Sequence, residues 1–556
     1  MISVAIVGGG PSGLYAFKAL ADSPEVGEIA LFEAAERWGL GTPYDPAINH
    51  PSLLANIASF ELPPIVDTFA DWLAALPEEE RAAIGVAEVS DRAFYPRIAL
   101  GAYFEAQYAK LSGAAGSHVR GYPRTRVHDV RCGPDGVTIL FSSEDGALES
   151  ARFDFAIIAT GHRSRPKAAL SGLTSPAYPP PQAPLDRPFD AAILGASLTA
   201  IDATLGMAAA RGDFKEGPQG LAYQLREGAG PLKVTMMSRR GLLPEADFYF
   251  PYPYAPLRFC NAKALAKAAA EGGLDAAFAL LAQELRAEDP QWSAHVGLDE
   301  LTADSFADVY FAQRSGGPFE EARRNLAEVR AGQLNKQVSA YRYAILRAHE
   351  AFAEVAPRLS PRDLVRFRRG LRRVFVDNYA AVPPLSIERL LALHEAGVLE
   401  VEKIAPDYRL EAVEGGVAVV SPQGQPRYDV VIDARGEGEA EPRELPFPTL
   451  RLQILANEML AGASNPADLP VTDALALAPG VNPVARVYCL AAPFLLSRRP
   501  FVQGLTSAHE LAERAVADLL TRAAAPPAEV APPPGAGALY LGDGIVVTTA
   551  AHRAAG

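Results

Sequence analysis

The 556 residues carry 52 basic and 66 acidic side chains, a formal charge of −14, with 49% apolar and 21% charged residues. That length is several times a typical domain and that composition is ordinary for globular chains, which excludes a mostly disordered, collagen-like or membrane-bundle protein. An acidic balance without a long basic stripe gives no support to a nucleic-acid or anionic-membrane partner.

In chain order, the apolar run Ile2–Val7 is predicted as a strand, followed by a Gly-rich turn and a helix with Leu14, Phe17 and Leu20 on its apolar face. Ile29–Glu33 is a second strand, so the chain opens as a βαβ unit. Residues 127–141 read as a hairpin about Gly133-Pro-Asp-Gly136, and the buried strand Phe155–Ile158 ends in Ala159-Thr-Gly-His162. Pro-rich sequence from Pro176 to Pro188 reads as a linker, after which Ala191–Leu194, a second Gly turn, a helix and Val234–Met237 repeat the opening pattern. Between them, Gly212–Pro231 is an excursion. From residue 245 to 395 the chain turns aromatic and then helical. The Ala-rich run Ala262–Leu285 is interrupted by charges and a Gly-Gly pair, so it is not a membrane span. Strand character returns at Val398–Val401, Val417–Val420, Tyr428–Asp433 and Val487–Leu490, before a helix over Thr506–Leu520. The Ala/Pro stretch Ala523–Pro534 leads to a tail that is a small hairpin or loose chain.

The predicted fold class is α/β, with two Rossmann-like dinucleotide-binding domains and an inserted helical region. Residues 1–185 form the first part of one dinucleotide domain and 186–244 the first part of the other; 245–395 is the helical insert. Residues 396–440 return strands to the domains, 441–522 complete the first, and 523–556 are linker and tail. Cys132, Cys260 and Cys489 form no CxxC pair, which disfavours a disulfide framework or a thiolate metal site and suits a reducing, cytoplasmic setting. No metal ligand set, GxSxG elbow or HExxH pair is present.

Gly8-x-Gly10-x-x-Gly13 follows a strand and opens a helix. Gly8 suits the tight turn, Gly10 the approach of a pyrophosphate, and Gly13 close helix–strand packing, with Pro11 and Ser12 in the first helical turn. Glu33, at the end of the second strand, is placed to hold ribose hydroxyls. The second turn, Gly195-x-Ser197-Leu198-Thr199-Ala200, is a degenerate copy. Its next strand ends in Ser238-Arg239-Arg240, where guanidiniums suit a 2′-phosphate. An acid-ended first turn and an Arg-ended second predict FAD and NADPH respectively.

Asp154-Phe-Ala-Ile-Ile-Ala-Thr-Gly-His162-Arg-Ser-Arg-Pro166 resembles the strand-to-turn signature of N-hydroxylating flavin monooxygenases, with His162 where that family has Tyr. Gly39–Tyr44, Leu53–Asn56, Phe94–Arg97, Gly195–Asp202, Ser238–Pro244 and Pro383–Leu393 are similar to the FAD/NAD(P)-binding branch that includes nitrosuccinate-forming aspartate N-monooxygenases. The resemblance implies flavin contacts from Asn56, Arg97, Thr160, Gly161 and Gly504. It also implies N-oxygenation of a small amino acid or amine, best guess L-aspartate to N-hydroxyaspartate or nitrosuccinate, through a flavin C4a-hydroperoxide with O2 as co-substrate. Lys336, Tyr341 and Arg342 in the insert are the candidate substrate residues, since a dicarboxylate needs a paired cation. Other readings of the same cofactors are a C-hydroxylase of a heterocycle or other metabolite and a non-catalytic redox sensor. The expected partners are therefore a small molecule and O2, with self-association left open.

Overall fold

The computed structural model describes residues 1–161, 172–178, 184–218, 220–436, 438–462 and 468–524, with the backbone of two further strands at 537–541 and 545–549. His162–Pro166, and parts of both Pro-rich stretches, lie outside the described residues. The chain divides into two compact units. One holds Met1–Ala47, Ile57–Arg163 and Gly438–Gly556; the other holds Ile48–Asn56 and Ser164–Glu437.

The first unit is built on a five-stranded parallel sheet in the order Val487–Cys489, Phe155–Ile158, Ile2–Val7, Val26–Phe32 and Val119–Tyr122. Its inner strands Ile2–Val7 and Phe155–Ile158 read as continuous apolar runs because both faces of the sheet are covered, and Val4, Ala5 and Ile6 are wholly buried. Between Val119–Tyr122 and Phe155–Ile158 the chain forms a three-stranded antiparallel meander, Arg126–Gly133, Gly136–Ser142 and Leu148–Phe153. Its inward residues Val130, Val137 and Ile139 share a core with Phe32, Leu450 and Ile454.

The second unit repeats this plan, except that its edge strand Ser175–Pro176 comes first in the chain where Val487–Cys489 comes last. Its five-stranded parallel sheet runs Ser175–Pro176, Val430–Asp433, Phe189–Leu194, Leu232–Ser238 and Leu399–Lys403. The matching meander is Arg409–Val413, Gly416–Val420 and Arg427–Tyr428. Ser175 already pairs with Ile432, so the chain has joined the second sheet ahead of the Pro-rich stretch from which the sequence starts that domain. The excursion after the second helix is a hairpin, Gly212–Gly217 with Gly220–Leu225.

The helical region occupies the crossover between Leu232–Ser238 and Leu399–Lys403, the slot filled in the first unit by the connection ending in helix Arg97–Ala115. Its longest helix, Ala262–Glu288, is broken by non-helical backbone at Gly272 and Gly273. Among the described residues, no helix is long and apolar enough to cross a membrane.

A histidine in this region is expected to make the second unit acid-sensitive. His349 stacks on Tyr379 at 4.9 Å and bonds the Leu346 carbonyl through Nδ1, and burial pushes its imidazole down to about 4 from 6.5. Protons then bind the unfolded chain first, so this contribution is neutral above 6.5 and destabilises as pH falls towards about 4. Thermal melts of wild type and His349→Phe are expected to run parallel at neutral pH. The wild type should lose Tm more steeply below about 6.5.

Candidate dinucleotide sites

At the first turn, Gly8 has φ +108°, and a Cβ there would lie 2.4 Å from the Ala159 carbonyl oxygen. A Cβ on Gly13 would lie 2.0 Å from the Gly8 oxygen. These two glycines are therefore required by the fold itself. Gly10 is different: a Cβ would meet only Gly41, at 3.4 Å, an ordinary contact. The space above Gly10 is thus open to something other than this chain's side chains.

Helix Pro11–Ala21 starts with Gly10 at its N-cap and no side chain bonded to its first turn, and Pro11 has no N–H to satisfy. An uncapped helix start with converging backbone donors is a site for a pyrophosphate. Glu33 points at the same turn, accepting hydrogen bonds from Gly9 N–H at 2.7 Å and Ala35 N–H at 2.8 Å. Behind the turn, Trp38 stacks on Tyr108 at 4.8 Å, and Gly39 donates to the Gly9 carbonyl at 2.7 Å, fixing the loop. Thr160 and Gly161 follow Ala159 beside Gly8, and Gly161 has φ +64° with open space around it. Arg97 is the first residue of Arg97–Ala115, and Gly504 immediately precedes Leu505–Ala524, which packs along Pro11–Ala21. Gly504 also has open space above it. The residues present fit a flavin dinucleotide: a cradle bare of side chains, uncapped N–H groups and a carboxylate at the ribose position. Asn56 belongs by its contacts to the second unit.

At the second turn, Gly195 has φ +124° and a Cβ would lie 2.6 Å from the Ala434 oxygen, the same relation as Gly8 to Ala159. Ser197 is an extended N-cap without a side-chain cap bond, and Leu198 and Thr199 open helix Leu198–Arg211. Ala200 replaces the packing glycine and is fully buried. Ser238 Oγ accepts from Gly241 N–H at 3.0 Å, so its hydroxyl shapes its own turn.

The two arginines separate. Arg239 is exposed. The Arg240 guanidinium lies over the Phe311 ring, 3.3 Å from its centroid, and burial, with Arg373 next in importance, pushes it down to about 10. The two guanidiniums thus differ in setting, because an aromatic face from the helical region takes one side of Arg240. The turn after strand Val430–Asp433 adds a residue the sequence reading missed. Ala434-Arg435-Gly436 occupies the place of Ala159-Thr160-Gly161, and Arg435 pairs with Asp433 at 2.6 Å. Its signal was the repeat of an apolar strand ending in Ala-x-Gly, and in the structure both glycines have positive φ, +64° for Gly161 and +81° for Gly436.

The three substrate candidates differ in setting, although Tyr341 and Arg342 both feel the charge of Glu245. Lys336 is exposed and caps helix Pro318–Asn335 in the left-handed region, at φ +52°. Tyr341 stacks on Trp292 with centroids 4.4 Å apart. Arg342 is 1% exposed, 3.2 Å from Glu245 and from the Ala246 carbonyl, with Phe248 beneath its guanidinium at 4.2 Å. Arg314 joins Glu245 at 3.8 Å to Asp377 at 2.6 Å, and Tyr310 donates to Asp377 at 3.0 Å. Arg342 thus belongs to a buried ion network. The cysteines are free and buried, and burial pushes the Cys132 and Cys489 thiols up to about 12, so neither is a thiolate at neutral pH.

Residues 5–163 match the FAD-NAD(P)-binding family, and residues 261–379 match the YdhS-like middle domain. Over 538 residues the chain is 38% identical to the uncharacterized protein YdhS of Escherichia coli (strain K12), spanning 94% of this chain and 99% of that protein. Among solved structures it is similar to ornithine N-hydroxylase of Kutzneria sp. 744, with TM-score 0.50 and 15% identity over 94% of this chain and 99% of that one. It is also similar to DfoA, the cadaverine monooxygenase of Erwinia amylovora, with TM-score 0.51 and 11% identity over 95% and 96% of the two chains. At these identities the likeness is one of fold.

Proposed function

Because the chain belongs to the YdhS family, with an FAD-NAD(P)-binding domain at its start, we propose that it is an FAD- and NADPH-dependent monooxygenase that N-oxygenates a small amine or amino acid. The observation that carries this reading is the doubled site. Two glycine turns of one topology end differently, in Glu33 and in Arg239-Arg240. A carboxylate accepts from ribose hydroxyls and repels a 2′-phosphate, whereas guanidiniums attract one, so the ends sort the two dinucleotides.

FAD and NADPH together supply hydride transfer and activation of O2. The chain's own residues bind and orient. The first turn of Pro11–Ala21 offers backbone N–H groups to a pyrophosphate, and Glu33 fixes the ribose end. The start of Leu505–Ala524, a long helix with its positive end at Gly504, favours negative charge on a ring placed there. A neutral amine is the attacking form, so a pocket that excludes water and lowers the amine's pKa favours the reaction. Ornithine and cadaverine, named in the fold neighbours, are both primary amines. L-Aspartate is the sequence-based guess, but Lys336 and Arg342 offer it no common cation.

The test is a panel of amines and amino acids, aspartate, ornithine and cadaverine among them, incubated with FAD-loaded protein, NADPH and labelled O2. Amine-stimulated NADPH oxidation with hydroxylamino or nitroso product supports the proposal. Oxygen found on carbon points to the C-hydroxylase reading, and NADPH oxidation indifferent to every amine points to a sensor. A second check concerns cofactor choice. Arg239→Ala is expected to weaken NADPH by about 1–3 kcal/mol and leave NADH nearly unchanged. Equal loss for both cofactors would remove the 2′-phosphate role of Arg239.

A further inference from the structure

The chain passes from strand Leu232–Ser238 directly into the helical region, so the Arg-ended turn and the helices that follow lie in one compact unit. Phe311, on helix Phe306–Ala312, is the meeting point. Arg240 lies over its ring at 3.3 Å, Arg314 at 5.1 Å and Arg373, from helix Leu371–Tyr379, at 5.5 Å. Three guanidiniums about one ring repel one another unless neutralised.

Only one of them is fully neutralised. Arg314 is 8% exposed and bonded to Asp377 at 2.6 Å, within the buried network. Among the described residues Arg239 and Arg240 make no ion pair. Arg373 reaches only Asp308, at 3.8 Å, a side chain 82% exposed, and donates to the Arg369 carbonyl at 3.1 Å. Burial lowers both Arg240 and Arg373; Arg373 and Arg239 add to the lowering of Arg240 and Arg239 to that of Arg373, opposed by Asp377 at Arg240 and by Asp308 at Arg373. Arg239, Arg240 and Arg373 therefore share one region of space whose nearby carboxylates are Asp308, itself exposed, and Asp377, already held by Arg314, against an aromatic wall beneath Arg240. A multiply charged anion neutralises such a cluster, whereas a neutral hydroxyl does not.

We propose that the helical region completes the second dinucleotide site: Arg373 is a third guanidinium for the ribose 2′-phosphate, beside Arg239 and Arg240, with Phe311 as the platform that orients Arg240. This rests on the NADPH reading above. It assigns to the middle region a part in cofactor selection, separate from any role towards the amine.

The test measures binding by calorimetry, so it needs no turnover. Adenosine 2′,5′-bisphosphate is the probe and adenosine 5′-monophosphate the control, titrated into the full chain and its Arg373→Ala, Arg373→Lys and Arg239→Ala variants. The expected result is that Arg373→Ala weakens the bisphosphate about tenfold or more, leaves the monophosphate unchanged and flattens the salt dependence. Arg373→Lys should recover most of the loss. Should Arg373→Ala fail to fold, as a melt would show, Arg373→Gln removes the charge and keeps a donor. If Arg373→Ala or Arg373→Gln binds the bisphosphate as wild type does while Arg239→Ala loses it, Arg373 has no such role and the NADPH reading stands. If wild type binds the two nucleotides equally, the NADPH reading itself fails.

Discussion

Purified Gly10→Val protein is expected to be folded and colourless. The first turn separates two demands that glycine meets in such motifs. At Gly8 and Gly13, Cβ atoms would lie 2.4 and 2.0 Å from backbone oxygens, so substitution there disturbs the strand and helix themselves. At Gly10, the nearest atom to a Cβ is the Gly41 Cα, 3.4 Å away, so the polypeptide tolerates a side chain that a closely approaching pyrophosphate does not. The steric conflict, on the order of 1–3 kcal/mol, with loss of close N–H contacts in addition, corresponds to at least a tenfold to hundredfold weaker flavin. Gly10→Ala should show a smaller loss in the same direction. Absorbance at the flavin band, read beside circular dichroism, makes the comparison. Gly13→Ala is expected to lower Tm before any question of flavin arises. A yellow Gly10→Val protein with normal flavin content would remove the cofactor from this turn.

The second large effect concerns Arg342, which the sequence offers as a substrate ligand and the structure places in the network of Glu245, Arg314 and Asp377. Arg342→Ala strips a wholly buried cation from Glu245, itself 13% exposed, and leaves a cavity over Phe248. Removing one partner of a buried pair costs about 3–5 kcal/mol, a large part of the 5–15 kcal/mol of a typical domain. The expected result is a much lower denaturant midpoint, or insoluble protein. Arg342→Met combined with Glu245→Gln, which keeps volume and removes both charges, should be more stable than Arg342→Met alone. A variant Arg342→Ala that unfolds like wild type and only raises the KM for an amine would return Arg342 to the substrate role.

Much of the fold was legible because it is local. Both glycine turns, the apolar strands beside them, the hairpin at Gly133–Gly136 and the broken Ala-rich helix are set by residues within one or two elements of each other. The FAD-NAD(P)-binding character followed from the same short windows, and the family match bears it out. What stayed hidden depends on partners far apart in sequence. Nothing near Arg240 marks Phe311 as the ring beneath it, and nothing near Arg342 marks Glu245 as its counterion. Pattern reading treats a helical arginine as solvated or ligand-binding, but a third outcome, burial against a distant acid, needs the tertiary structure. The short Ile48–Asn56 segment is a similar case, since its grouping with the second unit depends on residues such as Arg389, whose guanidinium meets the Ser52 carbonyl. Likewise, the end of helix Pro318–Asn335 turns on a single residue, Lys336, in a conformation that glycine usually takes.

The long excursion between Ser238 and Leu399 replaces what a single crossover of a dozen or so residues could achieve between parallel neighbours. Sheet formation thus constrains only where that stretch departs and rejoins. Its interior is released from the register of the sheet, while the nucleotide-holding frame stays fixed, as in a cassette carried on an unchanged chassis. Changes of length between those two points should therefore leave the pairing of the sheet intact, provided the departure at Ser238 and the return at Leu399 are kept.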